Sequence, residues 1–428
     1  MNIKDLHSLF LECDSACTDT RKITKDCLFF ALKGENFDGN KFAEDALEKG
    51  AKYAVIDDAK MNLDDRFILV DDVLNALQKI ANYHRHYLDI RILALTGSNG
   101  KTTTKELIHS VLKQSYRTVA TAGNYNNHIG VPLTLLSMKK DTEIGIVEMG
   151  ANHQKEIEFL CSIAEPEFGY ITNFGKAHLE GFGGVEGVIK GKTELYTSLK
   201  QNEGFIFVNG QDEKQIEHTK DYENCHIFNG KDQSSDQIIC EHVDPFVHVS
   251  WKGQEIQSQL IGAYNFSNIS AAIAIGNYFK VPSELIKEAI ENYKPENNRS
   301  QLLSVNSTKI ILDAYNANPT SMTAALTHFD GLSGDNKIAI LGDMFELGED
   351  AEDEHQNIAD LAGNMKLTKV YLVGENFAKT ESRFSRISQF DTFEAFSKDL
   401  DTSEFEDTTL LIKGSRGMAL ERVLELLK

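Results

Sequence analysis

The stretch LALTGSNGKTTTKELIHSVL, Leu93 to Leu112, constrains this chain more than any other. A run of apolar and β-branched residues leads through Gly97 and Gly100 into a segment whose apolar residues, Leu107, Ile108, Val111 and Leu112, recur at helical spacing. Strand, glycine turn and helix N-terminus in that order form the setting of a phosphate site, because the first N–H groups of a helix have no partners within it. Lys101 can balance charge on the β/γ-phosphates, and the Thr102 hydroxyl can join the shell of a Mg²⁺ ion. The loop nevertheless departs from the standard pattern G-x-x-x-x-G-K-[ST], which needs glycine where this chain has Leu95. The competing reading is an ordinary strand-to-helix turn.

Punctuation divides the chain into three blocks, expected to be an α/β protein of three domains with boundaries at 1–85, 86–298 and 299–428. The first carries short apolar runs, CLFFALKG and AKYAVIDD, and a helical pattern from Val73 to about Tyr87, which predicts a small α/β domain. In the second, RILALTG, EIGIVEMG, EFGYITNFG and GFIFVNG alternate with helical patterns, which predicts a mostly parallel sheet flanked by helices. The stretch Ile238 to Ile261, turned at WKGQ, is expected to add antiparallel strands to that sheet. A helical pair follows, and the polar YKPENNRSQ marks the next boundary. In the last block KIILDAYN, KIAILGDM, KVYLVGEN and TLLIKGSR each precede a helix-compatible segment, the pattern of a second, Rossmann-like, doubly wound domain.

Charge and composition narrow the partners. With 44 Lys+Arg against 65 Asp+Glu the net charge is -21, which argues against a sequence-independent grip on nucleic acid or anionic lipid. The N-terminal MNIKDLHSLF has charge where a signal peptide is apolar, and no apolar run reaches the ~18 residues of a membrane span. A cytoplasmic protein without membrane insertion is expected. Six cysteines without a C-x-x-C pair suit reduced thiols better than disulfides or a zinc cluster.

Three more residues stand out at the ends of predicted elements. Glu148 closes the strand IGIVE and is delivered to the same sheet edge as the loop, so it is either a magnesium ligand or solvated surface. His178, after the strand of FGYITNFG, is either a ligand or an ordinary exposed histidine. Projected at 100° per residue, Val185, Val188, Ile189, Tyr196 and Leu199 share one face with Lys192 near its centre, whereas Lys190 points away. Lys192 either snorkels to water or sits in a partly buried site with a counter-charge or an altered amine.

The loop TGSNGKTT, Glu148, His178 and Lys192 together resemble the Mur ligase superfamily of ATP-dependent amide-forming enzymes, whose loop is T-G-[ST]-x-G-K-[ST]. By that pattern Leu95 belongs to the strand. GNYNNHIGVPLTLL, EMGANHQKEIEFLCSIAEP, AHLEGFGGVEGVIKGKTELY, DAYNANPTSM, LGDMFELG and LIKGSRG resemble the branch that adds D-alanyl-D-alanine to UDP-N-acetylmuramoyl-tripeptide. The N-terminal DTRKITKDCLFFALKGENFDGNKFA resembles the family's UDP-binding domain, so the likeness spans nearly the whole chain.

The resemblance implies an ATP-dependent ligase that proceeds through an acyl phosphate, acts as a monomer and serves cell-wall synthesis. It assigns ATP to Gly97, Ser98, Asn99, Gly100, Lys101, Thr102 and Thr103, with Asn268, Arg299, Asp313, Tyr315 and Asn316. Lys101, His178 and Lys192 would serve catalysis. One Mg²⁺ would bind Thr102 and Glu148, and a second His178 and Lys192 carrying a carbamate formed with CO₂. Substrates would meet Thr20, Arg21, Leu32, Lys33, Gly34 and Asp38 at the UDP end, and Asn126, Asn127, Asn318, Lys413 and Arg416 elsewhere. Three positions depart from the family's usual residues: Tyr264 at the adenine contact, and Phe345 and Gly417 at the dipeptide site. A different superfamily member, such as a folylpolyglutamate synthetase, would lack DAYNANPTSM and the UDP-like segment. A non-catalytic ATP-binding module would not need His178 and Lys192.

Overall fold

The computed structural model describes residues 1–61, 63–231, 236–296 and 298–427. In the N-terminal domain the strands Ala16–Cys17, Leu28–Phe30, Tyr53–Ile56 and Phe67–Leu69 form a parallel sheet in that order. CLFFALKG and AKYAVIDD supply its two inner strands, which are continuous apolar runs because both faces are covered. The helix Val73–Leu88 matches the predicted pattern; the Asp72 side chain caps it by accepting from the Asn75 N–H. Its buried face, including Leu77, Ile80 and Ala81, carries the domain onto the next one, against the helices Gly130–Leu136 and Glu156–Ala164.

The central sheet has six parallel strands in the order Cys225–Phe228, Phe205–Asn209, Phe168–Ile171, Arg91–Thr96, Ile144–Glu148 and Thr118–Ala120. The strand that feeds the loop, Arg91–Thr96, lies inside, and its neighbours connect to opposite sides of the sheet. That reversal opens a crevice at the strand ends, where ligands of open α/β sheets bind. The helix Lys101–Leu112 buries Leu107, Ile108, Val111 and Leu112 and packs on the helix Asn265–Tyr278.

One expectation is corrected here. Ile238–Val243, Phe246–Trp251 and Gln254–Ile261 form their own three-stranded antiparallel sheet, which packs on the helix Ser283–Asn292 and does not extend the parallel one. Burial alternates residue by residue along Phe246–Trp251, the mark of a sheet covered on one face only.

The C-terminal sheet runs Gln301–Val305, Thr308–Asp313, Thr409–Lys413, Lys337–Gly342, Lys369–Val373 and Ile387–Phe390, with only the first strand antiparallel. The first and last of these had no counterpart among the predicted strands. The segment after Thr409–Lys413 is less helical than expected: two 3₁₀ turns precede the short helix Val423–Leu426.

Candidate active site

The loop's glycines explain its odd spacing. Leu95 is a fully buried strand residue, in register with Glu148 on one side and Tyr170 on the other. Gly97 adopts φ +143°, and a Cβ there would lie 2.0 Å from Thr172 Oγ1. At Gly100 φ is +78°, and a Cβ would lie 2.6 Å from Asn268 Oδ1. Both positions therefore require glycine, whereas position 95 needs an apolar side chain.

Lys101 opens the helix and folds back, donating from Nζ to the carbonyls of Gly97 at 2.7 Å and Ser98 at 3.1 Å. Burial pushes its ammonium down to about 8; the Glu148 carboxylate works against that shift and Arg299 adds to it. Glu148 is 1 % exposed, which rules out the solvated-surface reading. Its carboxylate accepts from Thr102 Oγ1 at 3.0 Å and from Asn126 Nδ2 at 2.9 Å. Lys105 is a residue that sequence reasoning missed: its buried Nζ lies 4.0 Å from Glu148 and donates to the Thr121 carbonyl at 2.7 Å. Its position one turn after Lys101, on the face of Ile108 and Leu112, was the available signal.

A cavity of about 1130 Å³ joins the central and C-terminal domains at this strand edge. From the loop it is lined by Ser98, Asn99, Gly100, Lys101, Thr102 and Thr103, and from elsewhere in the central domain by Asn126, Asn127, Glu148, His178 and Asn268. The C-terminal domain contributes Arg299, Asp313, Tyr315, Asn316, Asn318, Lys413 and Arg416. Gly97 and Lys192 lie behind its wall. Thr20, Arg21, Leu32, Lys33, Gly34 and Asp38 line no part of it. Leu32 is buried and Arg21 is paired with Asp19, which also lines a smaller cavity of about 250 Å³ between the N-terminal and central domains.

Two residues of the cavity wall each carry a buried donor with no partner among the described residues, Asn99 Nδ2 and Arg299 Nε. Unsatisfied donors of this kind fit an anionic, acceptor-rich ligand such as a nucleotide. The Arg299 guanidinium stacks 3.6 Å from the centroid of the Tyr315 ring, and that of Arg416 lies 5.1 Å from it. Lys413 is tied to Asp313 at 2.5 Å. Asn268 is already engaged, accepting from Thr104 Oγ1 at 3.0 Å and donating to Asn265 Oδ1 at 2.8 Å.

Lys192 is wholly buried, which excludes snorkelling. Its Nζ has the Ala151 carbonyl at 3.3 Å and the Phe182 ring at 4.9 Å, but no carboxylate within ion-pair distance among the described residues. Burial, reinforced by the Lys101 charge, holds its pKa well below the ordinary lysine range. Lys190 is exposed, as the projection predicts. His178 Nδ1 is hydrogen-bonded to Glu346 Oε2 of the C-terminal domain; Glu346, within LGDMFELG, was not singled out from sequence.

The three departures have structural correlates. The Tyr264 hydroxyl is bonded to Ser300 Oγ at 2.7 Å. Phe345 is 42 % exposed on the cavity wall, and a Cβ at Gly417 would stand 2.7 Å from its Cε2. Phe345 and Gly417 are thus one steric arrangement.

Comparison with known proteins agrees with this architecture. Models of the Mur ligase family, catalytic domain, the Mur ligase middle domain, and the Mur ligase, glutamate ligase domain match residues 15–85, 95–276 and 298–416. The chain is 35% identical over 420 residues to the UDP-N-acetylmuramoyl-tripeptide--D-alanyl-D-alanine ligase of Bacillus subtilis, covering 95% of this chain and 92% of that one. MurF from Acinetobacter baumannii superposes with a TM-score of 0.87 at 27% identity, over 100% of this chain and 98% of that one. MurF ligase from Thermotoga maritima in complex with ADP gives 0.84 at 26% identity, over 98% and 97%. With fold, loop and full-length relatives in agreement, the chain belongs to the Mur ligase family.

Proposed function

We propose that this chain is an ATP-dependent ligase that joins D-alanyl-D-alanine to UDP-N-acetylmuramoyl-tripeptide, giving the pentapeptide precursor of peptidoglycan and releasing ADP and phosphate. The observation that carries the reading is a single cavity in which the phosphate loop of one domain faces Arg299, Lys413 and Arg416 of another. We also take it to act as a monomer. We place the enzyme in the cytoplasm. No helix among the described residues is long and apolar enough to cross a membrane. The division at 1–85, 86–298 and 299–428 is supported by the residues that the three family models match.

A carboxylate is a poor acyl donor because its leaving group would be oxide. ATP therefore phosphorylates the terminal carboxylate of the tripeptide first, and phosphate becomes the leaving group. Lys101 and the loop N–H groups disperse charge on the transferred phosphoryl group by position and electrostatics. The neutral amine of the dipeptide then attacks the acyl carbon, and the tetrahedral intermediate collapses with loss of phosphate and of one amine proton, which the departing phosphate can carry. Arg299 and Arg416 orient anionic groups; Asn318 and Asn99, joined at 2.7 Å, hold the two domains across the loop.

Thr102 and Glu148 form a hard oxygen pair, suited to one Mg²⁺. An unmodified Lys192 does not suit a second ion, but a buried free amine reacts with CO₂ to give a carbamate and a proton. The carbamate would bind with His178. When bound, magnesium neutralises charge on the phosphoryl oxygens. UDP is assigned to the N-terminal domain near Thr20, Arg21, Leu32, Lys33, Gly34 and Asp38. The test is isotopic: ¹⁸O placed in the terminal carboxylate of the tripeptide is expected in the released phosphate. Unlabelled phosphate would refute coupling through that carboxylate.

A further inference from the structure

We infer that Glu346 is the positioning residue for His178: the carboxylate fixes Nδ1 and leaves Nε2 to a divalent cation, but only while the C-terminal domain rests on the central one. The inference builds on the metal role proposed for His178. A carboxylate can accept a hydrogen bond but not donate one, so its contact with Nδ1 selects the tautomer that carries hydrogen there and a lone pair on Nε2. Nε2 has no protein partner among the described residues, while the imidazole lines the cavity with its side chain 19 % exposed. An outer carboxylate that fixes a histidine's tautomer and rotamer raises its quality as a ligand.

The backbone is shaped around the same contact. His178 and Glu346 both take left-handed conformations, with φ of 54° and 62°. Such residues persist where the surrounding structure over-determines them. A backbone bond from the Glu180 N–H to the Glu346 carbonyl, 3.3 Å, pins the C-terminal loop beside the turn that carries His178. At Gly348, also left-handed, a Cβ would stand 3.1 Å from Glu180 Cβ, so the loop's approach is close. Because the two partners belong to different domains, domain approach and ligand quality at Nε2 become one event.

The test measures binding of Mn²⁺, a spectroscopic substitute for Mg²⁺, by electron paramagnetic resonance in the complex with a non-hydrolysable ATP analogue. Glu346→Asn keeps a residue that tolerates left-handed backbone but is too short to reach; it is expected to weaken one Mn²⁺ site by about tenfold to a hundredfold. Glu346→Gln, whose amide oxygen still accepts from Nδ1, should lose less than about threefold, and analogue affinity should change less than about twofold in both. Equal losses in the two variants would mean that charge matters and orientation does not, and would overturn the inference. So would unchanged Mn²⁺ affinity in Glu346→Asn. His178→Ala separates the layers: if it too leaves Mn²⁺ binding unchanged, the metal role of His178 falls and this inference with it. If His178→Ala loses a site and Glu346→Asn does not, only the inference falls. Thermal melting of each variant confirms that the comparison is between folded proteins.

Discussion

Lys101 and Lys192 stand in one electrostatic field but are held differently. Lys101 has two loop carbonyls close to its ammonium, whereas Lys192 has one carbonyl and the face of Phe182. Lys101→Ala is expected to abolish ligation, measured as phosphate release, with a thermal midpoint close to that of the parent. Lys192→Ala should also be inactive, but acetate or propionate should restore part of its activity by supplying an oxygen anion where the proposed carbamate would stand. Neither acid should rescue Lys101→Ala, whose lost group is a cation, and Lys190→Ala should match the parent. The Phe345–Gly417 pair gives a third expectation. Gly417→Ser forces the phenyl ring from its place, and Phe345→Ala in the same chain removes the conflict. The double variant should melt above Gly417→Ser alone; strictly additive shifts would contradict the steric account. Glu148 and Lys192 were legible in the sequence because each breaks a local pattern, a charge at a strand end and a charge on an apolar stripe. Lys105 carried the same kind of signal as Lys192, a charge on the apolar face of its helix, and was overlooked beside Lys101; Glu346 acts through a partner distant in sequence, and no local pattern announces that.

Elements were legible where apolar runs are continuous, as in RILALT and KIAILG, whose strands are buried on both faces. Gln301–Val305 and Ile387–Phe390 escaped because they lie at the two edges of the C-terminal sheet and carry polar residues at partly exposed positions. The first helix, Ile3–Phe10, is tied to Val73–Leu88 through His7 Nε2 and His84 Nδ1 at 2.9 Å, and His84 Nε2 meets the Met138 carbonyl of the central domain at 3.0 Å. Burial, with the His84 charge adding, pushes His7 down to about 4, and burial also lowers His84. Unfolded, both would titrate near 6.5. Below that value the unfolded chain binds protons at these positions that the native chain does not, so stability is lost as pH falls from about 6.5 towards 4. His7→Gln should flatten the slope of thermal midpoint against pH in this window. An unchanged slope would exclude the pair as its source.

At the scale of the whole molecule, the C-terminal domain meets the central one through further side chains beside His178–Glu346 and Tyr264–Ser300. Asn318 meets Asn99, Thr320 Oγ1 accepts from the Lys176 N–H at 3.0 Å, and Lys176 Nζ pairs with Glu354 at 2.5 Å. Lys176 is half exposed while Glu354 is largely buried; a pair open to solvent on one side contributes roughly 1 kcal/mol, so removing it should alter domain approach only modestly. Reversing its sign is a stronger perturbation. Lys176→Glu should enlarge the radius of gyration in small-angle scattering and raise KM for the substrates, and Glu354→Lys in the same chain should reverse both. A compact Lys176→Glu protein with parental KM would show that this contact does not govern closure.

Four of the cavity's ionisable groups already have protein partners: Lys101 its own loop, Glu148 Thr102 and Asn126, Lys413 Asp313, and His178 Glu346. A nucleotide entering there exchanges one set of hydrogen bonds for another, so its heat of binding should be small for so polar a ligand. For inhibitor chemistry, two buried donors on the cavity wall lack such a companion among the described residues, Asn99 Nδ2 and Arg299 Nε. Because both atoms are buried, an acceptor gains those contacts only by moving the side chains that cover them.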